Sequence, residues 1–409
     1  MLAVLSAFRK APDLRAPFRP LRSRLLSRIG LGAAALWLAA CEPIATTGTG
    51  AVTGPRVDAG SPVQVALLVP AGSGQSGDAA IATSLENAAR MAISDLGAVR
   101  VELRVYETAG RSDQAAARAV EAVNDGAQII LGPVFADSAR AVGAALAGTN
   151  VSVLSFSNNP TAAGGNVFVM GPTFDNSARR LAAHAVSQGK GRVMAIYERN
   201  EAGEVGRNAI SRALSSAGGS LAGAESFDFS QQGVVEAVPR IATAARAGGA
   251  DALFFTSNTA GALPLLVQLL PENRSGPDQF QYIGLTRWDI PASVLELPGV
   301  QGAWFALPDP ELTRQFNARY EAAFGRAPHP IAGLAYDGIA AVGALARTGG
   351  SDPLGRASLT QASGFAGVGG VFRLLPDGTN QRGLAVAQIR DSQVIVIDPA
   401  PRSFAGPGF

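Results

Sequence analysis

Three glycines near the start of the chain have the spacing of a phosphate-binding turn. Gly72, Gly74 and Gly77 form G-x-G-x-x-G within "VALLVPAGSGQSGDAA", residues 65–80. A dinucleotide site also needs an acidic residue roughly 20 positions later, at the end of the second strand. Glu107 ends the second apolar run, but it follows Gly77 by 30 residues. We therefore expect no dinucleotide cofactor, and the glycines instead mark the carboxyl end of a first strand over 63–70.

Other residues that carry catalytic chemistry are isolated. His184 and His329 have no cysteine, histidine or acid at metal-ligand spacing. The stretch from Ser187 to Lys190 matches S-x-x-K, but that chemistry needs a second lysine in K-T-G, and Lys190 is the only lysine after residue 10. The sequence predicts no catalytic residues, no metal and no cofactor, hence a protein that is not an enzyme.

The amino-terminal segment predicts export. Seven basic residues and one acid in residues 1–28 precede the apolar run "IGLGAAALWLAA", which stops at Cys41, the only cysteine. "LAAC" resembles a bacterial lipobox, so we predict a lipoprotein signal peptide over 1–40, lipidation of Cys41 and a flexible tether over 41–61. Removal of the leader changes the formal charge from +2 to −4, which gives no electrostatic basis for nucleic-acid binding.

From residue 63 onward, apolar strand-like runs alternate with amphipathic helical stretches. "VQVALLVP" is followed by a helical pattern over 78–96, and similar pairs recur to about residue 257. Continuous apolar strands joined by helices favour parallel sheets covered on both faces. The pattern forms two similar α/β halves, and a hairpin around Asp377-Gly378 and a last strand complete the chain.

The order and spacing of several stretches resemble the type I periplasmic binding protein superfamily. These include "VALLVPAGSG", "VSVLSFSNNP" and "YEAAFGRAPHPIAGLAYDGIAAV". The resemblance implies an α/β fold of two lobes, each a mainly parallel sheet with helices on both faces, and a cleft between the lobes. It assigns 62–170 and 301–367 to lobe 1, 171–300 and 368–398 to lobe 2, and 399–409 to a tail.

Within that superfamily, "GLTRWD" (284–289) and "LPGVQGAWFALPDP" (297–310) resemble the penicillin-binding protein activators. That resemblance implies a lipid-anchored envelope protein that faces the periplasm and activates a peptidoglycan synthase by direct contact, without catalysis. Glu42 after the lipidated cysteine favours the outer membrane. The alternative is the substrate-binding lipoprotein of an ABC importer, with a small polar ligand such as an amino acid or amide.

The amino-acid clamp of the transport members does not carry over to this chain. Its positions fall near Ala136, Asn158, Ala202, Asn258 and Thr286, which supply no acid for a ligand ammonium. Polar residues nevertheless follow the predicted strands at the expected cleft. These candidate ligand residues are Ser73, Gly74, Ser155, Ser157, Asn158, Glu198, Asn258, Thr286, Arg287, Trp288 and Asp289. The Arg, Trp and acid of "TRWD" are residue types that form a stacking or interface patch. Two alternatives stay open: the Ser and Asn side chains cap helices and turns, and Trp288 packs in the hinge region.

Overall fold

The structure is a computed structural model that describes residues 60–349 and 352–405. The predicted signal peptide, Cys41, all but the last two residues of the tether and the end of the tail lie outside the described residues. Within the described part of the chain, no helix has the length and apolar character that crossing a membrane requires.

Strands and helices alternate through most of the chain. The strands of the described residues are β1 (Val63–Val69), β2 (Val101–Glu107), β3 (Ile129–Leu131), β4 (Ser152–Ser155), β5 (Val167–Val169), β6 (Arg192–Glu198), β7 (Ser220–Phe227), β8 (Ala252–Phe255), β9 (Gln281–Gly284), β10 (Trp304–Leu307), β11 (Phe365–Gly367), β12 (Gly370–Leu374), β13 (Asn380–Arg382), β14 (Ala385–Arg390) and β15 (Gln393–Asp398). The α-helices are α1 (Ser76–Asp95), α2 (Ser112–Asn124), α3 (Ala136–Ala145), α4 (Phe174–Ser187), α5 (Glu201–Ala217), α6 (Gln231–Ala247), α7 (Leu263–Glu272), α8 (Pro310–Phe324), α9 (Ala332–Thr348) and α10 (Arg356–Leu359).

The first lobe is built on a parallel sheet in the order β2-β1-β3-β4-β5. Alternate residues of β1 pack on opposite faces: Leu67 joins a core with α1 and α9, and Leu68 joins a core with α2 and α3. Burial on both faces explains why β1 is an almost uninterrupted apolar run. This confirms the predicted sheet with helices on both faces.

The second lobe is built on a seven-stranded sheet in the order β15-β14-β10-β9-β8-β6-β7. The five strands from β6 to β10 are parallel, and β14 and β15 add an antiparallel edge. Helices α6 and α7 cover one face, and α4 and α5 cover the other. The mainly parallel second sheet is thereby confirmed as well.

Two segments lie in a different lobe from the one that the sequence predicted. Strand β10, predicted in lobe 1 with 301–367, pairs with β9 through Trp304 and Ile283 and therefore extends the second sheet. The hairpin of β12 and β13, predicted in lobe 2 with 368–398, packs Phe372 and Leu374 into the core of the first lobe. In both cases long-range pairing decides the lobe, and a single sequence does not show that pairing.

The chain crosses between the lobes after β5, after β10 and after β13, and hydrogen bonds connect these crossings. Arg382 donates from Nε to the carbonyl oxygen of Met170 at 3.0 Å, and the Asp309 amide donates to the Gly369 carbonyl oxygen at 2.9 Å. Arg382 also lies 3.5 Å from the buried carboxylate of Asp337 on α9. The first and third crossings therefore meet at this buried ion pair.

Candidate functional site

The carboxyl edges of the two parallel sheets border the interlobe crossings. Strand β5 ends at Val169 immediately before the first crossing, and β10 ends at Leu307 immediately before the second. In parallel α/β sheets, ligands bind beyond the carboxyl ends of the strands. The loops that follow β1 to β4 in lobe 1 and β6 to β9 in lobe 2 are therefore the candidate site, which we call the cleft rims.

The glycine-rich loop after β1 forms part of the lobe 1 rim. Gly72 and Gly74 have φ of +85° and +78°, a conformation that favours glycine. Ser73 Oγ accepts a hydrogen bond from the Gln75 amide at 3.1 Å, so this side chain holds the turn before α1. A Cβ built on Gly72 would lie 3.4 Å from Glu107 Oε2, which places that carboxylate over the loop.

The serines after β4 support the backbone. Ser155 Oγ donates to the Pro133 carbonyl oxygen at 2.9 Å and accepts from the Ser157 amide at 3.2 Å. Ser157 Oγ accepts from the Asn159 amide at 3.1 Å, and both serines are buried. Asn158 is the exposed residue of this loop. The two serines therefore satisfy backbone groups of the loop, which is the alternative to ligand contact, and Asn158 remains a candidate for ligand contact.

Glu198 and Asn258 come together on the lobe 2 rim. Glu198 ends β6, and its Oε2 accepts from Asn200 Nδ2 at 3.1 Å. Its Oε1 is buried without a hydrogen-bond partner. Asn258 follows β8, and its Oδ1 accepts from the Ala260 amide at 3.0 Å. A Cβ built on Gly261 would lie 3.5 Å from Glu198 Oε1 and 3.2 Å from Asn258 Oδ1, so both side chains adjoin Gly261.

The segment "TRWD" is not an exposed contact patch. Trp288 is 0% exposed and packs on Gly284, where an added Cβ would lie only 2.4 Å from the indole Nε1. Arg287 Nε donates to Asp289 Oδ1 at 2.7 Å, and the two residues form an ion pair. Thr286 Oγ1 donates to the Ser257 carbonyl oxygen at 3.3 Å. Trp288 thus packs in the interior and does not contact a ligand at the rim. Of this segment, only Thr286 and the Arg287–Asp289 ion pair reach the rim.

Two exposed aromatic side chains on the rims were missed by the sequence reasoning. Phe135, directly before α3, is 39% exposed, and Phe229, after β7, is 64% exposed. A Cβ built on Gly261 would lie 3.3 Å from the Phe229 ring, beside Glu198 and Asn258. Only their position in the sequence indicates a place on the rim, since each phenylalanine lies at the end of a predicted strand or the start of a predicted helix. Nothing in the sequence distinguishes a rim phenylalanine from a core one.

The histidines take part in structural contacts. His184 Nδ1 lies 3.0 Å from Asp398 Oδ2, and its ring packs edge-on against Trp304 at 4.9 Å. His329 accepts through Nδ1 from the Ile331 amide at 3.4 Å, and burial lowers the pKa of its imidazole. In residues 60–349 and 352–405, no group of three or more His, Cys, Asp or Glu side chains is placed to hold a metal ion.

A cavity of about 840 Å³ lies elsewhere on lobe 1. It is lined by residues that precede β4 and β5, among them Asn150 and Asn166, and by Arg356 of α10. These residues lie at the amino ends of the strands, opposite to the carboxyl edge. Strand polarity and the interlobe crossings therefore favour the cleft rims over this cavity as the ligand site.

A family model for periplasmic binding proteins matches residues 62–393. The chain belongs to the periplasmic binding protein family. This match covers the first sheet, the second sheet except for most of β15, and all three interlobe crossings. Members of the family and its structural neighbours are ligand-binding proteins rather than enzymes, and this protein is accordingly a non-enzymatic member.

Solved structures of transport proteins share the fold. A branched-chain amino acid ABC transporter periplasmic ligand-binding protein from Burkholderia xenovorans LB400 is 18% identical, with a TM-score of 0.65 over 84% of this chain and 97% of that chain. An ABC transporter substrate-binding protein from Desulfitobacterium hafniense, in complex with Leu, is 16% identical, with a TM-score of 0.60 over 82% and 100%. A solute-binding protein of an ABC transporter from Rhodopseudomonas palustris BisB5, in complex with 3,4-dihydroxybenzoic acid, is 18% identical, with a TM-score of 0.57 over 85% and 99%.

A search of the curated proteins found no significant match. At these identities, the likeness to solved structures shows the fold and does not identify a ligand. The comparisons support the substrate-binding interpretation better than the synthase-activator interpretation.

Proposed function

We propose that this protein is a substrate-binding protein that captures a small molecule between its two lobes and presents it to a membrane transporter. The observation that carries the proposal is the arrangement of the rims. The carboxyl edges of two parallel sheets border the same interlobe crossings, in a chain whose family match spans both lobes. The family favours a periplasmic location, and a lipid on Cys41 would keep the protein near its transporter.

Polar atoms without partners support a ligand at the lobe 2 rim. Thr256 Oγ1 and Ser257 Oγ follow β8, and both are buried without a hydrogen-bond partner, as is Glu198 Oε1. Unsatisfied buried polar groups carry a free-energy cost and concentrate where a ligand or water completes them. The positions that correspond to the amino-acid clamp of the transport members carry no carboxylate, so we do not expect a ligand held in the way those members hold an amino acid.

A ligand screen tests this proposal. Thermal unfolding of the full-length chain would be followed with amines, amino acids, amides, aromatic acids, sugars and muropeptides. A ligand that binds only the folded state at a concentration 100 times its Kd stabilises that state by about 2.7 kcal/mol. We expect one chemical class to raise Tm. The proposal fails if no class does so, and an increase in the transpeptidase rate of a peptidoglycan synthase would then favour the activator hypothesis.

A further inference from the structure

Each rim places a carboxylate and an exposed phenylalanine around one glycine. On lobe 1, a Cβ built on Gly110 would lie 3.2 Å from Asp78 Oδ2 and 3.4 Å from the Phe135 ring. On lobe 2, the corresponding distances from Gly261 are 3.5 Å to Glu198 Oε1 and 3.3 Å to the Phe229 ring. The glycines leave space where any larger side chain would contact both groups.

The carboxylates of the rims lack cationic partners. In the described residues, Asp78, Glu107 and Glu198 form no ion pair, although Glu198 accepts a hydrogen bond from Asn200. The neighbouring arginines are already neutralised by other acids. These pairs are Arg111–Asp113, Arg199–Asp228 and Arg287–Asp289. The rims therefore carry uncompensated negative charge, which attracts cations and repels carboxylates.

The aromatic rings add a second preference. The face of a phenylalanine ring attracts an ammonium or guanidinium group and also packs against apolar carbon. Both rings are exposed, whereas most large apolar side chains of the two lobes are buried. The buried, unpartnered Glu198 Oε1 beside Phe229 adds an acceptor that a donor N–H would satisfy.

We propose that the cleft binds an organic cation, an amine or guanidinium joined to an apolar body. This inference rests on the proposed function and specifies its ligand class. The cationic group lies between the carboxylates of the rims, and the apolar body contacts Phe135 and Phe229. Asp78 also lies in the first turn of α1, where the helix dipole stabilises a carboxylate. A substitution of Asp78 would therefore change helix stability as well as ligand contact, so Glu198 gives the clearer test.

Calorimetric titration of the full-length chain with compounds that share one ring tests the inference. The probes are tyramine, which is a cation, tyrosine, which is a zwitterion, and 4-hydroxyphenylacetate, which is an anion, with agmatine as a second cation. We expect tyramine or agmatine to bind at least tenfold more tightly than tyrosine and 4-hydroxyphenylacetate. Affinity for the cation should fall as salt concentration rises.

Charge and ring variants assign the binding to the rims. Glu198→Gln should weaken binding of the cation about tenfold or more, and Phe229→Leu about threefold to tenfold. Glu272→Gln is the matched control, because Glu272 is an exposed acid of lobe 2 at the end of α7 and should leave affinity unchanged. Circular dichroism and Tm establish that each variant is folded.

The outcomes separate this inference from the proposed function. If tyrosine, 4-hydroxyphenylacetate or another anion or zwitterion of the screen binds and neither cation does, the ligand class is wrong and the substrate-binding function stands. The assignment to the rims is also wrong if a folded Glu198→Gln variant binds the cation with unchanged affinity. If no compound of any class binds, both proposals fail.

Discussion

Trp288→Ala is expected to lower the free energy of unfolding by about 3–5 kcal/mol, the range for removal of a large buried aromatic side chain. Trp288 is 0% exposed and belongs to the core formed by α6, α7 and the second sheet. Its ring centroid lies 5.6 Å from that of Phe255 and it packs directly on Gly284, so truncation leaves a cavity that the strands cannot close. Chemical denaturation of the variant and the parent chain measures the difference.

Arg287→Gln serves as the control for this prediction, since it alters the adjacent residue on the surface. The Arg287 side chain is 37% exposed and that of Asp289 is 12% exposed, so the pair is partly buried and the expected loss is about 1–2 kcal/mol, below that for Trp288→Ala. A small effect of Trp288→Ala, together with a large effect of Arg287→Gln, would contradict the buried position of the indole. It would restore the segment as a contact surface.

Asp337→Asn is expected to remove a pH dependence of stability that the parent chain shows. Burial raises the pKa of the Asp337 carboxyl from its ordinary value of 3.8 to about 6, while the nearby Arg382 opposes that rise. Between these values the native state binds more protons than the unfolded state, so stability falls as pH rises. At 1.36 kcal/mol for each unit by which the folded and unfolded pKa values differ, this one group lowers stability by about 2 kcal/mol between pH 4 and pH 7, because the rest of the effect lies below pH 4.

The free energies of unfolding of Asp337→Asn and of the parent chain are measured from pH 4 to pH 7. Their difference gives the contribution of the Asp337 carboxyl. The amide that replaces the carboxyl would still offer an oxygen to the Val368 amide, which now donates to Asp337 Oδ1 at 2.8 Å, and Arg382 would keep its bonds to Met170. The free energy of unfolding of the variant should rise relative to that of the parent chain as pH rises. Parallel curves for Asp337→Asn and the parent chain would show that the Asp337 carboxyl has an ordinary pKa.

The sequence predicts the sheets well, because a strand that is buried on both faces needs apolar residues at its own positions in the chain. Strands such as β1 and β6 lie between helices on both faces, and their apolar runs predict them to within a residue or two. The same reasoning predicts where the cleft lies, since the glycine-rich loop after β1 must stand at the carboxyl edge of its sheet. The predicted α/β architecture with two lobes is confirmed on this basis.

Features that depend on long-range packing cannot be predicted from the residue types of a single segment. The lobe of β10 is fixed by its pairing with β9 and β14, which are separated from it along the chain but lie beside it in the sheet. Trp288 is buried because Gly284 leaves room for its ring, a relation that residue type alone does not indicate. The grouping of Glu198 with Phe229 around Gly261 joins three separate loops and emerges only in the folded chain.

Hydrogen–deuterium exchange of the full-length chain shows whether a small molecule binds between the lobes. Exchange would be measured with each stabilising compound of the screen at saturation and compared with the free protein. Binding between the lobes should slow amide exchange on both rims together, at 70–75 and 108–111 in lobe 1 and at 198–200 and 256–261 in lobe 2. Protection confined to one lobe, or to the cavity at the amino ends of β4 and β5, would contradict it.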